Sequence, residues 1–383
     1  MRQCRIMAFG VAHAQPPMAV PSTADQLVEA KGLPLSGRHH GLSSPVRGRW
    51  GMYVRDAEGQ MTANRNIKRR VRARAAKTGE SYTTALRHFR LTEPGAAVPP
   101  TKHLRLAVAA TNPTHDLTAP ALRAAGANIR DLMGEARASG ARIVHFMECA
   151  TGIPHKRAMS STGPDELGPA DWTRLDWTAL RQELRAIAVL AGELGIWTVL
   201  GSVHSLSAPH RPHNSLYVIS DTGKLVNRYD ERMLSNTKLS YLYTPGKAPV
   251  TFEVDGVRFG CLLGMEVHFP ELFDEYEKLG VDGVLFASTG APTGNEAFAT
   301  EARAHASVNN YWVSVAMPEA AGIVSPEGDW LARAESGLAV AELDESSAEI
   351  AVFTARPWRR TARGGLYEAY RVTDPRSDAR DAF

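Results

Sequence analysis

Gly260-Cys261-Leu262-Leu263-Gly264-Met265-Glu266-Val267-His268-Phe269-Pro270-Glu271-Leu272 is an apolar run that stops at polar residues and a Phe-Pro-Glu turn. A buried strand that breaks off into a tight turn presents one residue at the edge of its sheet, the layout that carries a nucleophile in many hydrolases. Here that residue is Gly264, which has no side chain to attack with. Cys261 lies three residues earlier, and strand alternation sends it to the opposite face, where it reads as a buried structural thiol. The stretch carries a fold signal without the side chain its chemistry would need.

Working outward, strands and helices alternate from residue 104 onward. Strands are expected at 104–109, 142–146 and 197–202, with amphipathic helices at 122–138 and 177–194 stopped by Gly140 and Gly195. Hairpins follow at 216–220 with 225–229, around Asp221-Thr222-Gly223, and at 250–254 with 257–263, around Asp255-Gly256. After the opening stretch come a helix at 271–278, a strand at 283–287, a helix at 295–309, a strand at 312–316, a turn at Pro326-Glu327-Gly328, and late strands at 337–343 and 348–353. Hairpins mixed with crossover helices predict an α/β protein with two sheets covered by helices, a four-layer α-β-β-α sandwich. No internal repeat is visible in the residues.

Four segments carry a resemblance. They are Val144-His145-Phe146-Met147-Glu148-Cys149-Ala150-Thr151-Gly152, then Tyr229-Asp230-Glu231-Arg232-Met233-Leu234 with Thr244-Pro245-Gly246, the opening stretch, and Ala306–Val313 with Ser325-Pro326-Glu327-Gly328. Their order and content resemble the nitrilase superfamily, the carbon–nitrogen hydrolases. That family's chemistry is covalent: a glutamate deprotonates a cysteine, the thiolate attacks an amide or nitrile carbon, and a lysine stabilises the developing charge. The resemblance places Glu148 at the glutamate position, Glu231 at the lysine position and Gly264 at the cysteine position. A divergent member lacking the triad Cys and Lys is thereby implied, because glycine offers no nucleophile and a carboxylate repels an oxyanion.

Other residues near these positions are candidates for the pocket. Glu266 falls two residues after Gly264 and reads either as a structural hydrogen-bonding group or as a third carboxylate beside Glu148 and Glu231. Close carboxylates cannot all ionise cheaply, so convergence would raise at least one pKa. Cys149 directly follows Glu148. Arg232 and Lys238 flank the lysine position, and a one-residue shift would bring Arg232 inward as a replacement cation. His268, Ser288 and Thr289 are further contacts for a ligand. His204, His210 and His213 lack an acid or cysteine at metal-ligand spacing, so no metal and no cofactor is expected.

The chain has 383 residues, 44% hydrophobic content and a net charge of +3. Residues 1–102 hold 17 Lys and Arg against 6 Asp and Glu, and the remainder 27 against 35, so an arm of +11 precedes a body of −8. Residues 1–60, rich in Pro, Gly, Ser, Arg and His, read as disordered. Residues 61–92 read as a basic helical hairpin, with Lys68, Arg69, Arg70, Arg72, Arg74 and Lys77 on its first helix. A linker at 93–103, the sandwich at 104–355 and a tail at 356–383 complete the expected organisation. No apolar run reaches the roughly 18 residues of a membrane span, and the three widely spaced cysteines fit a reducing cytoplasm.

Three readings stay open at this level. The first is a pseudoenzyme that binds a small-molecule ligand in the pocket. The second is an amide or nitrile hydrolase with rewired, carboxylate-based catalysis. In the third, the basic hairpin contacts nucleic acid or an acidic partner. The resemblance also implies a homo-oligomer, a dimer joined at the sandwich edges. Restoring Glu231→Lys together with Gly264→Cys is the change expected to rebuild the triad.

Overall fold

The computed structural model describes residues 102–112, 114–290 and 294–344, and the single positions Arg69, Arg72, Arg359, Ala362, Arg363, Glu368, Tyr370, Arg371 and Thr373. The arm at 1–60, the strand expected at 348–353 and, apart from those positions, the hairpin at 61–92 and the tail at 356–383 lie outside the described residues.

The first sheet is built from β1 (His103–Ala110), β2 (Ile143–His145), β3 (Trp197–His204), β4 (His213–Ile219) and β5 (Leu225–Asp230), with α1 (Ala119–Ala138) and α2 (Trp177–Leu194) as crossovers. The second holds β6 (Thr251–Val254), β7 (Val257–Leu263), β8 (Gly283–Ala287), β9 (Trp312–Met317), β10 (Ala320–Val324) and β11 (Trp330–Ala334), with α3 (Pro270–Lys278) and α4 (Glu296–Asn309). The last described strand, β12 (Gly337–Asp344), returns to the first sheet. The strand orders are β12-β1-β2-β3-β4-β5 and β11-β10-β9-β8-β7-β6. Two mixed sheets flanked by helices make the α-β-β-α sandwich.

The two sheets repeat one topology that the residues do not announce. In each, three parallel strands joined by two helices are followed by two antiparallel strands, and one more antiparallel strand covers the first of the three: β1-β2-β3 with β4, β5 and β12, and β7-β8-β9 with β10, β11 and β6. Parallel strands covered on both faces read as unbroken apolar runs, as in β8, where all five residues are buried. Strands β10 and β11 escape a sequence reading. Ala320-Ala321-Gly322-Ile323-Val324 is too rich in small residues to look like a strand, and β11 alternates between half-buried and exposed positions.

Local chemistry sets the helix ends that aim the sheets. Asp176 caps α2 by accepting from Thr178 N and Ala179 N, and Gly195 ends it in the left-handed conformation at φ 61°. The buried face of α2 includes Glu183, which accepts from Arg130 of α1 at 2.5 Å, so the two helices are joined by an ion pair as well as by packing. Between the sheets, His145 of β2 shares a 2.8 Å hydrogen bond with Ser314 of β9. Burial lowers the His145 pKa to about 3, so this link is neutral at any ordinary pH. Among the described residues no helix is long and apolar enough to cross a membrane.

Candidate functional site

Glu148 lies three residues beyond β2, where the chain turns out of the sheet and Cys149 takes a left-handed φ of 52°. Glu231 directly follows β5. Its backbone N donates to Asn214 O (2.9 Å) and its carbonyl accepts from Gly246 N (2.8 Å), which pins the end of the hairpin. Neighbouring residues of β4 serve opposite faces. Ser215 Oγ donates to Asp230 (2.6 Å), while Asn214 Nδ2 donates to both Glu148 Oε1 (2.7 Å) and Glu231 Oε2 (2.5 Å).

The cation of the site is Lys238, the first residue of a π-helical turn, Lys238–Leu242. Its Nζ donates to Glu148 Oε1, to Glu231 Oε2 at 2.8 Å and to Glu231 Oε1 at 3.0 Å. Thr289 N, beyond β8, donates to Glu148 Oε2 at 2.7 Å and so ties the second sheet to the cluster. Both carboxyl groups are therefore fully engaged. The Lys238 side chain keeps 17% of its surface exposed, against 1% for Glu148 and 0% for Glu231, so Lys238 is the member of the ion cluster whose side chain reaches the surface.

Charges follow from this geometry. Burial pushes the Glu231 carboxyl up to about 8; the Lys238 charge opposes the shift, and the charges of Glu148 and Glu266 add to it. Burial alone would lower the Lys238 ammonium, but Glu148 and Glu231 outweigh it and hold the group above the usual lysine range. The Glu231 carboxyl thus favours its protonated form near neutrality.

Gly264 follows β7 and opens the 3-10 turn Gly264–His268 at φ +55°, a backbone state that side chains other than glycine rarely adopt. A Cβ built there would lie 2.6 Å from Glu231 Oε1 and 2.7 Å from Lys238 Nζ. Gly264, Glu148, Cys149, Lys238, Ser288 and Thr289 line one cavity of about 460 Å³, and Ile153, Leu242, Met265 and Phe298 add apolar surface to it. Cys149 Sγ donates to Asn214 Oδ1 (3.5 Å) and contacts Tyr243 OH (3.8 Å). Burial, and then the Glu148 charge, push this thiol well above the ordinary cysteine range.

Two sequence expectations are corrected, those for Arg232 and His268, and for Glu266 the structural of its two readings holds. Arg232 does not turn into the site as a cation. Its guanidinium pairs with Glu275 (2.8 Å) and donates to Tyr229 OH (3.2 Å), and no bulge turns it inward, because the Arg232 backbone N is already bound to Glu266. Glu266 does not join the other carboxyls in the cavity. It accepts from Tyr229 OH, Arg232 N, Met233 N and Leu263 N, which makes it a clamp between the end of β5 and the end of β7. His268 turns away to Glu301 (2.7 Å) and packs edge-on against Phe298. His204 and His213 face each other across β3 and β4 but hold separate partners: His204 bonds Tyr217 OH and Arg228, and His213 bonds Thr244 O.

Sequence reading missed Asn214 and gave Lys238 only a flanking place. A signal for Lys238 was present, since it is the one lysine between Tyr229 and Gly246. The Glu266 clamp carries a prediction. Glu266→Gln sets an amide N–H against backbone N–H donors and should lower stability by about 2–4 kcal/mol. Urea unfolding checks it, and a change under 1 kcal/mol would show that the clamp is not closed in solution.

No protein of curated function matches the chain. Among solved structures, an amidase from Nesterenkonia sp. is 16% identical with a TM-score of 0.57, over 73% of this chain and 100% of that one. A mutant of the Nesterenkonia AN1 amidase, from the nitrilase superfamily, is 17% identical with a TM-score of 0.56, over 72% of this chain and 100% of that one. Another mutant of that amidase, showing covalent addition of the acetamide moiety of fluoroacetamide at its active site cysteine, is 16% identical with a TM-score of 0.57, over 72% of this chain and 100% of that one. At these identities the likeness concerns the fold. The family is given by sequence: with residues 105–352 matched by the model described as Carbon-nitrogen hydrolase, this chain belongs to the carbon–nitrogen hydrolase family of the nitrilase superfamily.

Proposed function

We propose that this chain uses the hydrolase fold to hold a small hydrogen-bond-accepting molecule and does not cut it through a thioester. One observation carries the reading: where the family motif calls for a cysteine stands Gly264, and the space its Cβ would need is taken by Lys238 Nζ and Glu231 Oε1. The amidase neighbour holds its acetamide adduct on an active site cysteine. Here Cys149 is the thiol lining the cavity among the described residues, and its raised pKa and its bond to Asn214 keep it protonated. Glu148 is a poor general base in this arrangement, because Asn214, Lys238 and Thr289 occupy its oxygens. Lys238 instead offers its exposed side to a carbonyl or carboxylate oxygen.

A panel of aliphatic amides and nitriles tests this. Ligands that enter the cavity should raise the melting temperature with the logarithm of their concentration above Kd while releasing no ammonia. Ammonia release that disappears in Glu148→Ala would overturn the reading in favour of a rewired hydrolase.

A further inference from the structure

We propose that the cavity admits a small carboxylate only while the pair formed by Glu148 and Glu231 holds a proton, so that an acid and a proton bind together. The inference rests on the reading that the cavity binds an acceptor without hydrolysing it. Its basis is a count of charges in contact. Lys238 Nζ already touches two carboxyl groups, Glu148 and Glu231, and a ligand oxygen would take one of the two N–H groups now given to the Glu231 oxygens. An incoming carboxylate becomes the third acid around one ammonium, beside two buried carboxyl groups whose charge water screens poorly.

Among the described residues no second buried cation lines the cavity to meet it. Glu266 faces Glu231 from the 3-10 turn and adds negative charge. Cys149 and Tyr243, which face the pair from the other side, stay neutral because burial raises both. His155, in the cavity lining, is lowered by burial and by His115, Lys156 and Arg157. Lys156 also lines the cavity, but its side chain is exposed to solvent. Neutrality is therefore restored by a proton on Glu231. The step forms one O–H bond on a Glu231 oxygen, breaks the bond that held that proton in water or a buffer acid, and breaks none in the ligand. The burial-raised Glu231 carboxyl, near 8, sets where the proton is lost.

Propionate and its uncharged isostere propionamide separate the possibilities, with calorimetry in buffers of different ionisation enthalpy counting the protons. The full-length protein should bind propionate with almost no proton uptake at pH 6.5 and about one proton at pH 9. Its affinity should fall about tenfold per pH unit above 8. Propionamide should bind with no proton and no such slope. Glu231→Gln, which fixes an uncharged group in place, should bind propionate without the slope. Should that variant fail to fold, the wild-type profiles of the two probes decide the matter alone. Propionamide binding with propionate excluded, or propionate affinity flat from pH 6.5 to 9, overturns this inference and leaves the binding function standing. If neither probe binds, both readings fall.

Discussion

Lys238→Met should cost the folded chain about 3–5 kcal/mol at pH 8.5, the loss expected when one partner of a buried ion pair is removed and the other stays behind. Methionine fills much of the same volume, so the effect isolates the ammonium. Two carboxyls, 1% and 0% exposed, would then face each other with Asn214 between them. The pH dependence gives the prediction its signature. In the wild-type fold the Glu231 carboxyl is raised to about 8 from an ordinary 4.5. A raised carboxyl contributes stability that is fully present below its unfolded value and is lost as pH rises through the folded one. Without Lys238 the folded value climbs further, so the deficit of the variant should be greater at pH 8.5 than at pH 6. Urea unfolding at the two pH values measures it. Equal deficits would mean that the lysine acts by packing alone.

Gly264→Ala is the second large effect, at about 3 kcal/mol or more. Left-handed backbone costs a non-glycine residue roughly 1–2 kcal/mol. The new methyl would also meet Glu231 Oε1 and Lys238 Nζ at 2.6 and 2.7 Å and must push the ion pair apart. Thermal and urea unfolding check the magnitude, and an alanine tolerated within 0.5 kcal/mol would show that the cluster yields. The same geometry corrects an idea that looks sound in the sequence, that Glu231→Lys with Gly264→Cys rebuilds the triad. That double variant sets a second ammonium against Lys238, which is already in contact with residue 231. A rebuilt site also needs Lys238→Glu, so that the ion pair is reversed and not replaced by two like charges.

How much was legible depended on whether a contact was local. Helix α2 runs from Trp177 to Leu194 as its Asp176 cap and Gly195 stop dictate, and β7 and β8 stand at 257–263 and 283–287 as their apolar runs require. These are short-range signals. Glu148, Glu231 and Gly264 were found by motif, and the structure brings all three to one cluster. The cation was legible only as the one lysine between Tyr229 and Gly246; its entry into the cluster was not, because Lys238 arrives through a π-helical turn that no periodicity predicts. Glu266 was ambiguous for a related reason. One donor, Leu263 N, is local, but Tyr229 OH, Arg232 N and Met233 N come from β5 and the turn after it, which meet Glu266 only when β5 and β7 pack, and sequence spacing holds no record of that meeting.

The repeated topology gives the cavity an unusual ownership. Glu148, Asn214, Glu231 and Lys238 belong to the first run of strands and helices, Gly264, Ser288 and Thr289 to the second, and the bond from Thr289 N to Glu148 is a seam between them. Neither half lines the cavity by itself. A molecule seated there would act as a rivet, and whatever free energy it brought to Lys238 would be shared with the docking of one sheet on the other. Occupancy of the cavity and cohesion of the sandwich are thus two readings of one equilibrium.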